Sequence, residues 1–133
     1  MEYKLLAQKA VEAKQFAYAP YSKFRVGAAL LTEDEKIFTG CNIEISSYSL
    51  TICAERNAIF KAYSDGEIKF KAIAIAADTE DYISPCGACR QVISDLCGDI
   101  DVILINGKNE MKILRTQELL PFAFTDKELN KRN

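Results

Sequence analysis

The segment Phe70-Lys71-Ala72-Ile73-Ala74-Ile75-Ala76-Ala77 is a nearly continuous apolar run of strand length. A strand with one face in water alternates apolar and polar side chains, whereas a strand buried on both faces does not. The run therefore predicts a strand with cover on each side. Upstream of it, Cys53 to Tyr63 carries Ala54, Ala58, Ile59 and Ala62 at helical spacing and is closed by Ser64-Asp65-Gly66. Downstream, Ser84-Pro85-Cys86-Gly87 opens another helix that runs through about Cys97. Farther out, Val26 to Leu31 and Lys36 to Cys41 flank Glu33-Asp34-Glu35 and predict an antiparallel hairpin. Gly27 and Gly40 mark points where the backbone needs room. Asp101 to Ile105 and Met111 to Leu114 predict two more strands around the turn Asn106-Gly107-Lys108-Asn109. At the ends, Glu2 to Tyr18 predicts a first helix that stops before Pro20, and Glu118 onward predicts short helical pieces with a charged end. The order helix, two strands, helix, strand, helix, strand, strand predicts a layered α/β sandwich around one sheet.

At 133 residues the chain suffices for one domain with a hydrophobic core and is too short for two ordinary ones, so residues 1–133 are expected to form a single unit. The net charge of -2 argues against a surface built to release counterions from a polynucleotide. Met1 to Ala19 mixes charged with apolar residues, unlike a secretory signal or a spanning helix, which predicts no membrane partner and a cytoplasmic location. Five cysteines are an odd number, which fits reduced thiols better than a disulfide framework. The chain contains no histidine, so the commonest general base and metal ligand is missing. A metal site must be built from sulfur and oxygen.

Cys86 and Cys89, in Pro85-Cys86-Gly87-Ala88-Cys89-Arg90, have the gap that lets two thiolates converge on one ion at a helix start, where the dipole favours negative charge. Alone, that gap fits half of a structural zinc site, a redox pair or chance. Cys53-Ala54-Glu55-Arg56, also at a predicted helix start, adds a third thiolate and a carboxylate two positions on. Three protein ligands with a fourth position open to water describe a catalytic zinc site.

Cys53-Ala54-Glu55 and Pro85-Cys86-Gly87-Ala88-Cys89 fit the zinc-deaminase signature of a ligand, one residue and Glu followed by Pro-Cys-x-x-Cys, with Cys allowed in place of His. The chain resembles the small homotetrameric cytidine deaminases over nearly its whole length. The resemblance also runs through Ala19-Pro20-Tyr21-Ser22-Lys23-Phe24, Val26-Gly27-Ala28-Ala29-Leu30, Gly40-Cys41-Asn42-Ile43-Glu44 and the extension to Arg90-Gln91. It implies a three-layer α-β-α sandwich around one mixed five-stranded sheet, one Zn2+ per subunit on Cys53, Cys86 and Cys89, and a homotetramer. The implied reaction is hydrolytic deamination of cytidine and deoxycytidine in pyrimidine salvage. In it, zinc-bound hydroxide attacks C4 while Glu55 carries the proton to N3 and helps ammonia depart.

Three thiolates on a dication leave excess negative charge, and the resemblance implies that Arg56 offsets it by hydrogen bonding to the ligand sulfurs. It further implies that Asn42 and Glu44 bind the ribose hydroxyls, that Phe24 packs on the substrate, and that the backbone at Ala54 and Ser84 reads the base edge. Tyr48 and Phe124 fall at positions suited to reaching a neighbouring subunit's site, with Phe122 competing for the role of Phe124. Ile45-Ser46-Ser47 departs from the more usual Asn-Ala after the glutamate.

Taken singly, these residues also have plain readings. Cys41 and Cys97 lie in apolar elements and read as small core hydrophobes. Phe24 and Tyr48 read as packing residues, Asn42 as a turn residue, and Glu44, Arg56 and Arg90 as surface charges. Two other functions compete. One keeps zinc and Glu55 but acts on a nucleoside antibiotic of the blasticidin type. The other is a non-enzymatic module in which Glu55 closes a structural zinc site.

Overall fold

In the computed structural model, which describes residues 3–125, the apolar run is strand β3 (Phe70–Ala77), with the bounds its sequence predicts. It is the middle strand of a sheet ordered β2 (Ile37–Cys41), β1 (Val26–Thr32), β3, β4 (Asp101–Ile105) and β5 (Met111–Arg115). β1 pairs antiparallel with both β2 and β3, β4 runs parallel to β3, and β5 returns antiparallel to β4. The sheet is therefore mixed, as the resemblance implies.

Helix α1 (Tyr3–Ala13) covers one face, and α2 (Ala54–Ser64) and α3 (Gly87–Cys97) cover the other. Side chains alternate along a strand, so Ala72, Ala74 and Ala76 meet Leu6, Ala7 and Ala10 of α1. Ile73 and Ile75 turn the opposite way, toward Ala58 and Ile59 of α2 and Ile93 of α3. Small residues beneath α1 let that helix lie close to the sheet, while the larger isoleucines fill the space under two helices. The result is a three-layer α-β-α sandwich.

Gly27 and Gly40 have the close approaches that their sequence positions suggest. A Cβ on Gly27 would lie 2.1 Å from the Ala10 carbonyl oxygen, and one on Gly40 would lie 2.5 Å from the Ala54 oxygen and 2.6 Å from the Ala58 nitrogen. Strand β2 thus touches the first turns of α2 backbone to backbone, which fixes where that helix begins.

Three expectations change. The first helix does not reach Tyr18: α1 ends at Ala13, a 3-10 turn spans Lys14–Phe16, and Tyr18 is extended. The Tyr18 N–H donates to the Asn42 carbonyl at 2.9 Å, and the Glu44 N–H donates to the Tyr18 carbonyl at 2.8 Å. This long-range pairing overrides the local helical pattern. Near the other end, α4 (Thr116–Leu119) starts ahead of Glu118, whose carboxylate accepts the Arg115 N–H at 2.9 Å and so caps the helix start. Cys41 is half-buried rather than core, whereas Cys97 packs at the edge of the α2–α3 core, where burial pushes its thiol up to about 12. Glu2 and the charged end after residue 125 lie outside the described residues. Among those described, no helix is long and apolar enough to cross a membrane.

Candidate active site

The starts of α2 and α3 meet at one end of the sheet. Cys53 is the N-cap of α2 and Cys86 the N-cap of α3, both in extended backbone, and Cys89 follows in the first turn of α3. The three Sγ atoms all lie within 4.8 Å of one another, with Cys53 and Cys86 3.9 Å apart. Tetrahedral zinc with Zn–S bonds of about 2.3 Å sets its sulfurs roughly 3.8 Å apart, so the donors fit that ion with little movement. Among the described residues no His, Asp, Glu or further Cys joins the group. Cys89 is buried, Cys53 half-buried and Cys86 exposed, so the cluster is closed beneath and accessible above.

The protons on these sulfurs show the charge the site is built to hold. The Cys53 thiol falls to about 5, through its hydrogen bond with Cys89 and, against the cost of burial, through Arg56. Cys89 moves the other way, because its hydrogen bond to Cys53 and its burial both favour the protonated form. The two shifts oppose one another because adjacent thiolates repel, and a bound dication would favour the ionised form of the cluster. Arg56 contributes in part: its Nη2 lies 3.4 Å from Cys53 Sγ, and its Nε is buried with no hydrogen-bond partner among the described residues. The hydrogen bond to Cys53 raises the guanidinium's proton affinity, against the cost of burial.

Glu55 lies in the first turn of α2, only 5% exposed. Burial pushes its carboxyl up to about 7, and the Cys53 charge adds to the rise, while its own backbone N–H and Arg56 oppose it. A carboxyl balanced near neutrality both takes and gives a proton at little cost.

Glu55 and Cys53 open into a cavity of about 260 Å3 that is also lined by Phe24, Asn42, Glu44, Ala54, Ser84 and Cys86. The structure thus brings together all the pocket residues named from the sequence. It adds Ser22, Val26, Thr51, Ile75, Ala77, Ile83 and Pro85. Ser22, Glu44 and Thr51 also border an outer depression of about 330 Å3 with Tyr21 and Tyr48. Tyr48 is 71% exposed there, edge-on to Tyr21 at 5.8 Å between ring centroids. Neither Tyr48 nor Phe124 lines the inner cavity of its own chain; Phe124 is held by Gln91, whose Nε2 donates to its carbonyl at 3.0 Å. Phe122 is fully exposed, in left-handed backbone at φ 53°.

The polar pocket residues also hold the pocket together. Asn42 is buried, with Oδ1 accepting the Val26 N–H at 2.8 Å and Nδ2 donating to the Phe24 carbonyl at 2.9 Å. This clamp keeps Phe24 at the cavity wall and uses one acceptor site and one donor of the amide. Asp78, just after β3, accepts from the Arg25 backbone N–H at 3.3 Å and from Arg25 Nε at 2.9 Å, and pairs with Lys14 at 3.2 Å. Arg90 donates to the Pro85 carbonyl and the Leu119 carbonyl, each at 2.8 Å, and to the Ser84 hydroxyl. It ties the ligand loop to α4 and is no bystander on the surface. Ser22 escaped the sequence reading; its signal was the Ser-x-Phe spacing, which here closes a turn with the Phe24 N–H 3.0 Å from Ser22 Oγ.

Residues 1–105 match the family model described as the cytidine and deoxycytidylate deaminase zinc-binding region. The chain is similar to a cytidine deaminase of Sporosarcina psychrophila, 53% identical over 98% of this chain and 96% of that one. It is 49% identical to a cytidine deaminase of Halalkalibacterium halodurans over 98% of this chain and 99% of that protein. A crystal structure of cytidine deaminase from Burkholderia pseudomallei superposes with a TM-score of 0.90 at 46% identity, covering 93% of this chain and all of that one.

Proposed function

The chain belongs to the cytidine deaminase family of zinc-dependent hydrolases, and we propose that its reaction is hydrolytic deamination of cytidine and deoxycytidine to uridine and deoxyuridine, with release of ammonia. The observation that carries this reading is a buried Glu55 beside three converging cysteines at the floor of a nucleoside-scale cavity. Cys53, Cys86 and Cys89 hold one zinc ion, which when bound lowers the pKa of a water so that a nucleophile is available near neutral pH. Glu55 accepts one proton of the attacking water and delivers it to N3 of the ring, then takes the remaining proton of the hydroxyl added at C4 and gives it to the departing amine, so that ammonia leaves as the C4 carbonyl forms. Its pKa near neutrality serves each transfer. Arg56 offsets the excess negative charge of three thiolates and holds Cys53 in place. The backbone at Ala54 and Ser84 faces the base edge, Phe24 packs on the nucleoside, and Asn42 and Glu44 accept the sugar hydroxyls.

Four copies assemble in this reading. Exposed Ile43, Ile45, Tyr48 and Leu50 lie close together in sequence, Tyr18 is bridged to Ile43, and these residues supply apolar surface for a subunit contact. Tyr48 and Phe124 then reach a neighbour's pocket rather than their own. Residues 1–133 act as one catalytic domain, in the cytoplasm, in pyrimidine salvage.

The test measures zinc content and ammonia release on one purified sample, with cytidine, deoxycytidine, adenosine and blasticidin S as substrates. One zinc per chain and conversion of both cytosine nucleosides are expected; no release from either rejects the reading. Glu55→Gln separates the enzyme from a structural zinc module. The enzyme keeps its fold and zinc and loses turnover, whereas the module loses metal.

A further inference from the structure

Glu44 is an unusual residue to bury, and its hydrogen bonds show what orients it. The carboxylate is only 8% exposed. Its Oε1 accepts the Tyr21 N–H at 3.1 Å and the Ser22 N–H at 3.0 Å, and its Oε2 accepts the Ser22 hydroxyl. An ionised carboxylate offers about four acceptor sites, so the turn at Tyr21–Ser22 occupies all but one, and the open site belongs to Oε2. The Ser22 hydroxyl has one proton, given to Glu44, and two lone pairs, one of which takes the Phe24 N–H at 3.0 Å. One acceptor site on Ser22 Oγ therefore also remains. Both residues line the inner cavity and the outer depression, at the boundary where the two meet. The Ser22 hydrogen bonds are the main reason that the Glu44 carboxyl stays ionised while buried.

We infer that Ser22 is a specificity-determining residue: its hydroxyl fixes the Glu44 carboxylate and leaves two adjacent acceptors, Glu44 Oε2 and Ser22 Oγ, for the hydroxyls of the sugar. Without the serine hydroxyl, Glu44 Oε2 loses its fixed partner and the carboxylate is free to turn toward water. A nucleoside lacking the 2′ and 3′ hydroxyls cannot present them to either acceptor, so the loss falls on substrates that carry them. The inference rests on the reading that Glu44 binds the sugar.

The experiment compares kcat/KM for cytidine and for 2′,3′-dideoxycytidine in the zinc-loaded full chain, its Ser22→Ala variant and its Glu44→Gln variant. The wild-type protein is expected to prefer cytidine, and Glu44→Gln to lose most of that preference. Ser22→Ala is expected to lower the preference about tenfold to a hundredfold, the worth of one hydrogen bond to a charged partner, mainly through KM for cytidine. If wild type shows no preference, or Glu44→Gln keeps it, the sugar reading of Glu44 fails and the inference with it. If Glu44→Gln loses the preference while Ser22→Ala keeps it, or loses activity equally on both substrates, Ser22 only supports the turn and the inference alone is overturned. Ser22→Cys, close to serine in size and a weaker donor, carries the same comparison if the alanine variant fails to fold, and is expected to give a smaller drop in the same direction.

Discussion

The two ends of the pocket are built in different ways. At the inner end, Cys53, Glu55, Cys86 and Cys89 sit on the starts of two helices whose bodies are packed into the core, and Gly40 presses β2 against α2 with no side chain between. At the outer end, Ser22, Phe24, Asn42 and Glu44 lie on connecting segments whose shape depends on side-chain hydrogen bonds to backbone. Proton transfer tolerates little displacement, so it is placed where packing sets position; recognition of a sugar can rest on a loop. Damage to the inner end should therefore appear in turnover, and also in folding where it disturbs the packing, and damage to the outer end in KM.

The largest expected effect is Glu55→Gln, which should lower kcat about a hundredfold to ten-thousandfold, with zinc content and melting profile close to wild type. A variant that keeps turnover removes Glu55 from the proton path and breaks the contrast at its centre. Next is Gly40→Ala, whose new methyl must displace the start of α2. A loss of about 1–3 kcal/mol in denaturant unfolding is expected, together with a fall in kcat. Unchanged stability would mean that β2 and α2 can part without cost.

Asp78→Asn tests the outer end. Burial raises the Asp78 carboxyl, but hydrogen bonds from Arg25 and Lys14 outweigh it and leave the pKa below the ordinary value of 3.8. A depressed folded pKa contributes stability above the unfolded value and loses it as pH falls through the folded one. The wild-type advantage, about 1 kcal/mol or less for a partly exposed pair, should therefore be present near neutral pH and vanish in acid. KM for cytidine should rise about threefold as the Phe24 segment loosens, near the lower end of the roughly 0.5–1.5 kcal/mol typical of one hydrogen bond; a fall in kcat with KM unchanged would show that the two ends are not separable. The smallest effect belongs to Lys23→Gly. Lys23 sits in left-handed backbone at φ 60° between Ser22 and Phe24, and relief of that conformation, less the added freedom of the unfolded chain, should raise stability by about 0.5 kcal/mol. A drop in thermal midpoint would show that the lysine side chain supports the turn.

The inner end was far more legible in the sequence than the outer. Cys53, Glu55, Cys86 and Cys89 are close along the chain within each pair, and helix periodicity places each pair at a helix start. The same locality explains why β3 has the bounds read from its apolar run. Ser22 and Asp78 carry no such mark. Each matters because of a partner far away in sequence, Glu44 for one, and Arg25 and Lys14 for the other. Tyr18 was misread for the same reason, since the segment that pulls it out of the first helix lies at Asn42 to Glu44.

What the sequence determined by itself was the layer order, the ligand chemistry and the carboxylate, because each depends on residue type and short-range spacing: strand burial on period two, helix faces on 3.6, thiolate pairing on a two-residue gap. Only the tertiary structure decided that the two helix starts meet within reach of one ion, that Glu55 is buried deeply enough to titrate near neutrality, and that Ser22 holds Glu44. These outcomes come from packing and desolvation, which depend on every element surrounding a group, and no local pattern in the chain encodes them.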